Sequence, residues 1–288
     1  MTGTGQHVPI LGTLKTQFMA QANYKMPPFS HLLLLLAYAM CFERQEAQLH
    51  LSVLLARNFT SSTLLSRRYI AILAKARLII IHRSEVRLPL PQSNRLSSLS
   101  VNLPGFFYAR GQELICKVRS HLKNDLLKGL VSSKQLEEVI LEILVGDAVE
   151  YIEYYVRKNG KTLCGANLID ARLKVLLQTR SLGQVFMLLW RATKNLCKEV
   201  EVNQLKLLFE DVVKLAWEYN FQYQKQSSIV ENYSRPEAVT ISKVASILFY
   251  DLMGISGNTD NLIGAKAYIT ASKYSPKQKN FDTKNSAD

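Results

Sequence analysis

The sequence predicts a mainly helical protein with a small β-hairpin in its first third, and three observations lead to this fold class. Most of the chain after residue 105 has apolar residues at the three- and four-residue spacing of amphipathic helices. Before that point, one β-branched and one alternating stretch enclose a loop, residues 83–95, that contains two prolines. Hydrophobic residues make up 48% of the 288 residues, which is enough to bury one or two cores.

The first third of the chain predicts several short elements in a defined order. Residues 1–25 show no clear pattern and are interpreted as a flexible N-terminal arm. Two prolines then break the chain, and Ser30 is expected to cap the helix that contains the apolar run 32–42. A short segment and a brief second helix follow, and a third helix begins near Ser62. A strand, the proline-containing loop and a return strand over residues 96–103 complete this part.

Six helical segments are predicted in the next part of the chain. They lie within residues 112–130, 132–160, 167–180, 181–198, 203–224 and 235–254. The second segment starts with a capping box formed by Ser132 and Gln135 and stops at Gly160. We interpret residues 158–165 as a turn between helices. Residues 256–288 are polar and are interpreted as a flexible tail.

The helix predicted within residues 132–160 carries one apolar stripe with two interpretations. The stripe comprises Leu136, Val139, Ile140, Ile143, Leu144, Ile152 and Tyr155. It could form a dimer seam, which proteins that read two DNA half-sites require, or it could belong to the internal core. The sequence favours neither interpretation over the other.

A second group of residues on the predicted helices is aromatic. It comprises Tyr151, Tyr154, Tyr155, Trp190 and Trp217. These side chains could line a ligand cavity, although aromatic residues at helical spacing more often belong to a core.

Positive charge is concentrated in the first third of the chain. The formal net charge is +13, and residues 1–110 contain 12 lysines and arginines against 3 acidic residues. A basic surface of this kind indicates a polyanionic partner, either nucleic acid or an anionic membrane. A basic surface without a partner is the alternative.

No pattern of a catalytic, cofactor or metal site is visible in the sequence. The four cysteines and five histidines are scattered, so we interpret the cysteines as reduced core thiols and expect no metal. There is no glycine-rich phosphate loop, no pair of catalytic carboxylates and no Ser/His/Asp set. The longest apolar run, residues 32–42, is shorter than the roughly 20 residues that a membrane span needs. We therefore expect no enzymatic activity, no cofactor and no membrane partner.

The order of elements between residues 30 and 105 is that of a winged helix-turn-helix domain. The residues also resemble winged-helix bacterial regulators of the multiple-antibiotic-resistance type. Ala56 and Arg57 match the end of the second helix, residues 59–61 match the turn, residues 62–76 match the recognition helix, and Leu73, Ala76, Leu78 and Ile79 match the entry into the first wing strand. This chain has Thr60 and Arg77 at positions where the family often has glycine.

The resemblance implies a DNA-binding domain over residues 26–105 and a helical dimerisation or effector domain over residues 106–255. In such a domain the recognition helix enters the major groove, and arginines of the wing contact phosphates or the minor groove. The residues expected to contact DNA are Ser61, Ser62, Thr63, Ser66, Arg67 and Arg68 on the helix, and Arg83, Arg87, Asn94 and Arg95 on the wing. Short hydroxyls suit close approach to phosphates, and arginine can bond to guanine with two hydrogen bonds.

The sequence thus predicts a sequence-specific transcription regulator that binds double-stranded DNA as a homodimer in a bacterial cytoplasm. One alternative is a replication-initiation or partition protein of a plasmid or phage. Another is a winged-helix adaptor that binds protein partners, through the helical domain, rather than DNA. Under that alternative the serines are ordinary helix caps and the arginines are a solvated face.

Overall fold

The computed structural model describes residues 26–41, 49–50, 58–83, 97–101, 111–199 and 205–273. Within these ranges the protein is mainly helical, as the sequence predicts, with two small sheets. The arm (1–25), the brief second helix before the turn, and residues 274–288 of the tail lie outside the described residues. None of the helices in the described ranges is long and apolar enough to cross a membrane.

The elements follow in chain order. The first are α1 (Phe29–Cys41), β1 (Leu49–His50), α2 (Thr63–Lys75), β2 (Ile79–Arg83) and β3 (Ser97–Val101). The body that follows comprises α3 (Gly111–Leu127), α4 (Ser133–Lys158), β4 (Thr162–Cys164), α5 (Ala171–Thr179), α6 (Leu182–Glu199), β5 (Lys206–Leu208), α7 (Phe209–Lys225), α8 (Lys243–Ser246) with a π-helical turn (Ile247–Leu252), a 3-10 turn (Thr259–Asn261) and α9 (Gly264–Ala271).

The first three strands form an antiparallel sheet in the order β1-β3-β2. β2 and β3 are the hairpin that the sequence predicts, with Ile79 opposite Val101 and Arg83 opposite Ser97. β1 pairs with the outer edge of β3, where Leu49 lies opposite Leu99. The sequence analysis did not predict β1, because two residues are too short for an alternating pattern.

Most residues of helix α1 are buried. Leu32, Leu33, Leu35 and Leu36 are fully buried, as expected for a helix that is apolar on every side. The carbonyl of Pro28 accepts hydrogen bonds from the backbone N–H groups of His31 and Leu32. The helix therefore begins at Phe29, and the expectation that Ser30 caps it is wrong because Ser30 lies inside the first turn.

Helix α4 confirms the capping box and decides the interpretation of its apolar stripe. Ser132 accepts from the backbone N–H of Gln135, and the Gln135 side chain accepts from the backbone N–H of Ser132. Five stripe residues are buried in this chain itself, and Val139 and Tyr155 pack against the same core. These five are Leu136, Ile140, Ile143, Leu144 and Ile152. The dimer seam is therefore the wrong interpretation of the stripe, because its side chains are already covered by other helices.

Two segments differ from the sequence prediction because they pair with each other. Residues 158–165, interpreted as a turn, contain β4, and the start of the segment 203–224 forms β5 instead of helix. The two strands run parallel, with Thr162 opposite Lys206 and Cys164 opposite Leu208. Pairing between segments about forty residues apart leaves no local periodicity, so the sequence could not indicate it.

The prediction of a flexible tail is wrong for residues 256–273. These residues form the 3-10 turn and α9, and Tyr268 of α9 is fully buried. The Tyr268 hydroxyl donates to the carbonyl of Thr259, and the backbone N–H of Lys273 donates to the carbonyl of Met253. A polar segment is ordered here because a few apolar side chains enter the core of the body.

Buried side chains from α1 to α9 form one continuous hydrophobic core. The boundary expected between residues 105 and 106 lies outside the described residues. Lys123 and Arg119 of α3 both form ion pairs with Asp251 of the π-helical turn, at 2.8 and 2.7 Å. Arg119 also donates to the sulfur of Met40 in α1 at 3.5 Å, so the N-terminal elements pack directly on the body.

A cluster of charged side chains lies inside the body. Arg235 donates hydrogen bonds to Asp147 at 2.8 Å and to Asp260 at 3.1 Å, and its guanidinium lies over the ring of Phe186. Burial, and after it the carboxylate of Asp147, raises the pKa of Glu150 to about 8. Charges taken out of water are tolerated only when they are paired, and Arg235 pairs Asp147 and Asp260.

Helix α2 ends in a left-handed residue that is not glycine. The backbone N–H of Leu78 donates to the carbonyl of Leu73, and that of Arg77 donates to Ala74, which is the Schellman pattern of a helix end. Arg77 has φ +58°. Glycine is favoured at such a position because a Cβ atom is strained there.

We expect Arg77→Gly to be more stable than Arg77→Ala by about 0.5–1 kcal/mol. A residue with a Cβ atom costs ~1–2 kcal/mol in the left-handed backbone conformation, and glycine avoids this cost. Glycine also has greater freedom in the unfolded chain, which offsets about half of the stabilisation. Both variants remove the arginine side chain, so their difference isolates the backbone effect. Chemical denaturation measures it, and equal free energies of unfolding would show that φ at residue 77 carries no strain.

The raised pKa of Glu150 makes stability depend on pH. A carboxyl group whose pKa is higher in the folded state keeps its proton there, so its contribution is complete below about pH 4.5 and is lost as the pH rises to about 8. Over that window the free energy of unfolding should fall by up to about 1.4 kcal/mol per pH unit. Glu150→Gln should flatten this dependence in denaturation measured from pH 5 to 8.5. Parallel curves for the two proteins would contradict the raised pKa.

Candidate nucleic-acid interface

The residues before α2 form a network of hydroxyl groups that caps this helix. The Ser62 side chain accepts from the backbone N–H of Leu65 at 3.1 Å, which confirms a helix beginning near Ser62. The Thr60 hydroxyl donates to the carbonyl of Ser62 and lies 2.7 Å from the hydroxyl of Ser66. The exposed fractions of Ser61, Ser62 and Ser66 are 7%, 3% and 1%. The hydroxyls of Thr60, Ser62 and Ser66 therefore hold the helix start together inside the protein.

The expectation that Ser61, Ser62 and Ser66 lie on an open surface is wrong. Ser62 accepts from a backbone N–H group, Ser66 bonds to the Thr60 hydroxyl, and Ser61 faces Gly146 of the body, so none of the three points toward solvent. Ser and Thr at a helix start give the same sequence pattern whether they cap the helix or contact a ligand. Only the packing around them separates the two roles.

The turn before α2 is fixed to the segment before α8. The side-chain amide of Asn58 donates to the hydroxyl of Thr240 at 2.7 Å. The backbone N–H groups of Lys243 and Val244 donate to the carbonyls of Asn58 and Phe59. The Phe59 ring makes edge contacts with Tyr38 and Tyr69, both at 6.4 Å between ring centres. The body therefore covers the turn itself.

The first half of α2 packs closely on α4 at Gly146. A Cβ atom at residue 146 would overlap Cδ2 of Leu65 and would lie 3.0 Å from the Ser61 hydroxyl. Gly146 is thus the position that lets the two helices approach, because any side chain would separate them. Leu65 has 1% of its surface exposed, so this contact is part of the core.

Arg68 joins the same two helices through an ion pair. Its Nε lies 2.9 Å from Oε1 of Glu142 on α4, with 43% of the arginine and 26% of the glutamate side chain exposed. Burial raises the pKa of Glu142, and the charges of Arg68 and Lys174 oppose that shift. Arg68 was expected to contact DNA, but in this arrangement its charge is directed to a carboxylate of the body.

One side of α2 remains open to solvent. It carries Thr63, Arg67, Ala71 and Lys75, each exposed and each four residues from the next. Helix α2 contains no acidic residue, and among the residues that the structure describes neither Arg67 nor Lys75 has an ion-pair partner. We name these four residues the open face of α2. Lys75 was not among the predicted contacts, although its spacing from Arg67 could have revealed it.

The remaining predicted residues belong to the wing. Arg83 is the last residue of β2, so its backbone is placed at the end of the hairpin. Arg87, Asn94 and Arg95 lie outside the described residues. The structure therefore brings Thr63 and Arg67 together on an accessible face, buries three of the predicted serines and pairs Arg68 with Glu142.

Comparisons of this chain with protein-family models, with curated proteins and with solved structures give no match. Within the part of the chain that the structure describes, no three His, Cys, Asp or Glu side chains are grouped to hold a metal ion. The geometry and charge of the open face of α2 are therefore the observations that make it a candidate site.

We expect Gly146→Ala to lower the free energy of unfolding by about 1–3 kcal/mol, because Leu65 must leave its position. In a Leu65→Ala background the same change should cost much less, since the overlapping atom has been removed. A double-mutant cycle by chemical denaturation measures this coupling. Additive effects of the two substitutions would show that α2 and α4 do not meet at this point.

Proposed function

We propose that this protein binds double-stranded DNA through the open face of α2, with the hairpin β2–β3 beside it as a wing. The observation that carries the proposal is the open face itself. It is a helical surface with two cations, two small side chains and no acid, next to a hairpin whose first strand ends at Arg83. Helices of this character read the major groove, where arginine and lysine bond to guanine or phosphate.

The order of elements supports the assignment of a winged helix-turn-helix domain. Helix α1, strand β1, helix α2 and the hairpin follow one another, and the sheet has the order β1-β3-β2. The sequence between residues 30 and 105 resembles winged-helix regulators over the same elements. We therefore retain a transcription regulator as the proposed role, and a homodimer in a bacterial cytoplasm as the expected setting.

The contacts proposed here differ from those expected from the sequence. Arg67 and Lys75 replace Arg68 and the serines as the main DNA-contacting residues of the helix, with Thr63 near its start. Ala71 between them is small enough to let the helix backbone approach a base edge or a thymine methyl group. Because α4 lies against the opposite flank, the duplex has to approach from the side of the open face.

The burial of the turn favours a second candidate, an adaptor that does not bind DNA. Residues 58–61 and the first half of α2 are covered by α4 and by the segment near Lys243. A winged helix packed in this way could serve as part of the scaffold for a protein partner. Such a protein would show no salt-dependent shift of duplex DNA, whereas the proposed function requires one.

We expect Arg67→Gln with Lys75→Gln to weaken binding to duplex DNA by about tenfold or more. Each phosphate contact that is lost should reduce the slope of log K against log salt by about 0.9. Fluorescence anisotropy with a mixed-sequence duplex, measured at several salt concentrations, gives both quantities. The thermal midpoint should stay close to that of the unmodified protein, because both side chains are exposed and unpaired among the described residues.

A matched control removes the same charge from other exposed helices. Lys225→Gln with Lys266→Gln changes α7 and α9, which are distant in sequence from α2. This control should bind DNA nearly as well as the unmodified protein. Equal losses in both double variants would mean a diffuse charge effect, and unchanged binding in the α2 variant would exclude the open face as the DNA contact.

A further inference from the structure

One end of the body collects positive charge from two helices. Tyr151 of α4 stacks on Phe186 of α6 with 4.1 Å between ring centres. Burial raises the pKa of the Cys197 thiol near the end of α6, and Lys161, just beyond α4, is close enough to oppose that shift. The strands that follow the two helices also run parallel to each other. The two helices therefore run in the same direction and finish together.

Basic residues dominate this end, where the acidic residues of the two helices are Glu153, one turn before Arg157, and Glu199, the last residue of α6. We name it the basic end, and it comprises Arg157, Lys158, Lys161, Arg191, Lys194, Lys198 and Lys206. Residues 154–169, 182–198 and 205–209 contain no aspartate or glutamate. Among the described residues, Lys158, Arg191 and Lys194 form no ion pair. Helix C-termini favour cations, which accounts for part of this composition but not for the aromatic rings that accompany it.

Aromatic side chains hold several of these cations. The Lys194 ammonium lies 4.6 Å from the centre of the Trp190 ring, and Lys158 lies 5.9 Å from the centres of both Tyr154 and Tyr155. Trp190 and the two tyrosines are half-buried, so part of each ring reaches the surface. Of the five aromatic residues that the sequence analysis grouped as cavity or core, Tyr151 and Tyr154 both contact Tyr155, whereas Trp190 contacts Tyr233.

Arg191 has the most defined geometry in the basic end. Its guanidinium lies 4.7 Å from the centre of the buried Tyr219 ring, and its Nη1 donates to the Tyr223 hydroxyl at 2.8 Å. Arg191 itself is exposed. The guanidinium therefore lies near two rings, because the centre of the Tyr223 ring is also only 5.7 Å away, while the residue stays accessible to solvent. Arginine planes and aromatic rings of this kind stack with unpaired nucleic-acid bases.

We propose that the basic end binds single-stranded nucleic acid. Its lysines would neutralise the phosphates, while Arg191, Trp190 and Tyr155 would contact the bases. A duplex cannot offer base faces to these groups, because its bases are stacked on each other. The surface is separate from the open face of α2, since Lys158 lies 16 residues after Glu142 on the same helix, about 24 Å along its axis.

The first test uses the full chain and a fluorescent oligothymidylate of about 16 nucleotides, the upper range for one single-strand-binding module. Arg191→Gln with Lys194→Gln and Lys198→Gln should weaken binding by about tenfold or more. The variant Lys134→Gln with Lys266→Gln is the charge control and should bind normally, since Lys134 lies at the opposite end of α4 from Lys158. Arg67→Gln with Lys75→Gln should also bind the oligothymidylate normally, so this proposal and the proposed duplex binding can fail independently.

The second test reads the aromatic contact directly. The chain has two tryptophans, so Trp217→Phe leaves Trp190 as the fluorescent reporter, and Trp190→Phe leaves Trp217. Oligothymidylate should quench the fluorescence of the first variant and leave the second unchanged. Arg191→Lys keeps the positive charge but removes the planar guanidinium group. It should therefore weaken single-strand binding while leaving the slope of log K against log salt nearly unchanged. An oligouridylate arm shows whether RNA or DNA is preferred.

Three outcomes would overturn the proposal. The first is the absence of measurable binding to either oligonucleotide by the unmodified protein. The second is a protein that binds duplex DNA at least as tightly as single strands, loses this duplex binding in the Arg191 triple variant, and shows no quenching of Trp190 fluorescence. The third is a triple variant that no longer binds phosphatidylglycerol vesicles, which the unmodified protein binds, but still binds the oligonucleotides. That result would identify the basic end as a membrane-binding surface.

Discussion

The contact between α2 and α4 at Gly146 is the constraint on which the arrangement of the molecule depends. Because residue 146 has no side chain, Leu65 can enter the core beside it and Ser61 can lie against the helix. The same approach brings Arg68 within 2.9 Å of Glu142. A helix that could have projected from a separate small domain is instead part of one continuous core. Its orientation, and therefore its accessible side, follows from this contact.

The close packing changes which residues can serve a partner. A helix buried on one flank keeps only the opposite stripe for recognition, and on α2 that stripe is Thr63, Arg67, Ala71 and Lys75. Ser62 at its start stabilises the helix by capping, for which replacement by alanine typically costs about 1 kcal/mol. The side chains that hold the fold together and the side chains left accessible thus lie on different sides of the same short segment. This separation makes it possible to change the open face without weakening the fold.

The body carries its charges in two different ways. In its interior, Arg235 lies between Asp147 and Asp260, and each charge has a partner. At the basic end, Lys158, Arg191 and Lys194 rest on aromatic rings and have no acidic partner among the described residues. A cation on a ring keeps its charge available to a polyanion, whereas a cation in a buried ion pair does not. The two arrangements therefore point to a structural role inside and an interaction role at the surface.

The sequence by itself determined the features that depend on neighbouring residues. It predicted the mainly helical class, the β2–β3 hairpin, the capping box of Ser132 and Gln135, and the helix start at Ser62, because caps and periodicity act over a few positions. Only the tertiary structure decided which hydroxyls and arginines of α2 are open. That choice depends on Glu142, Gly146 and residues near Lys243, which are far away in the chain. The β4–β5 pair and the basic end were likewise decided by the tertiary structure. Both depend on contacts between segments far apart in the chain, and such contacts leave no local sequence pattern.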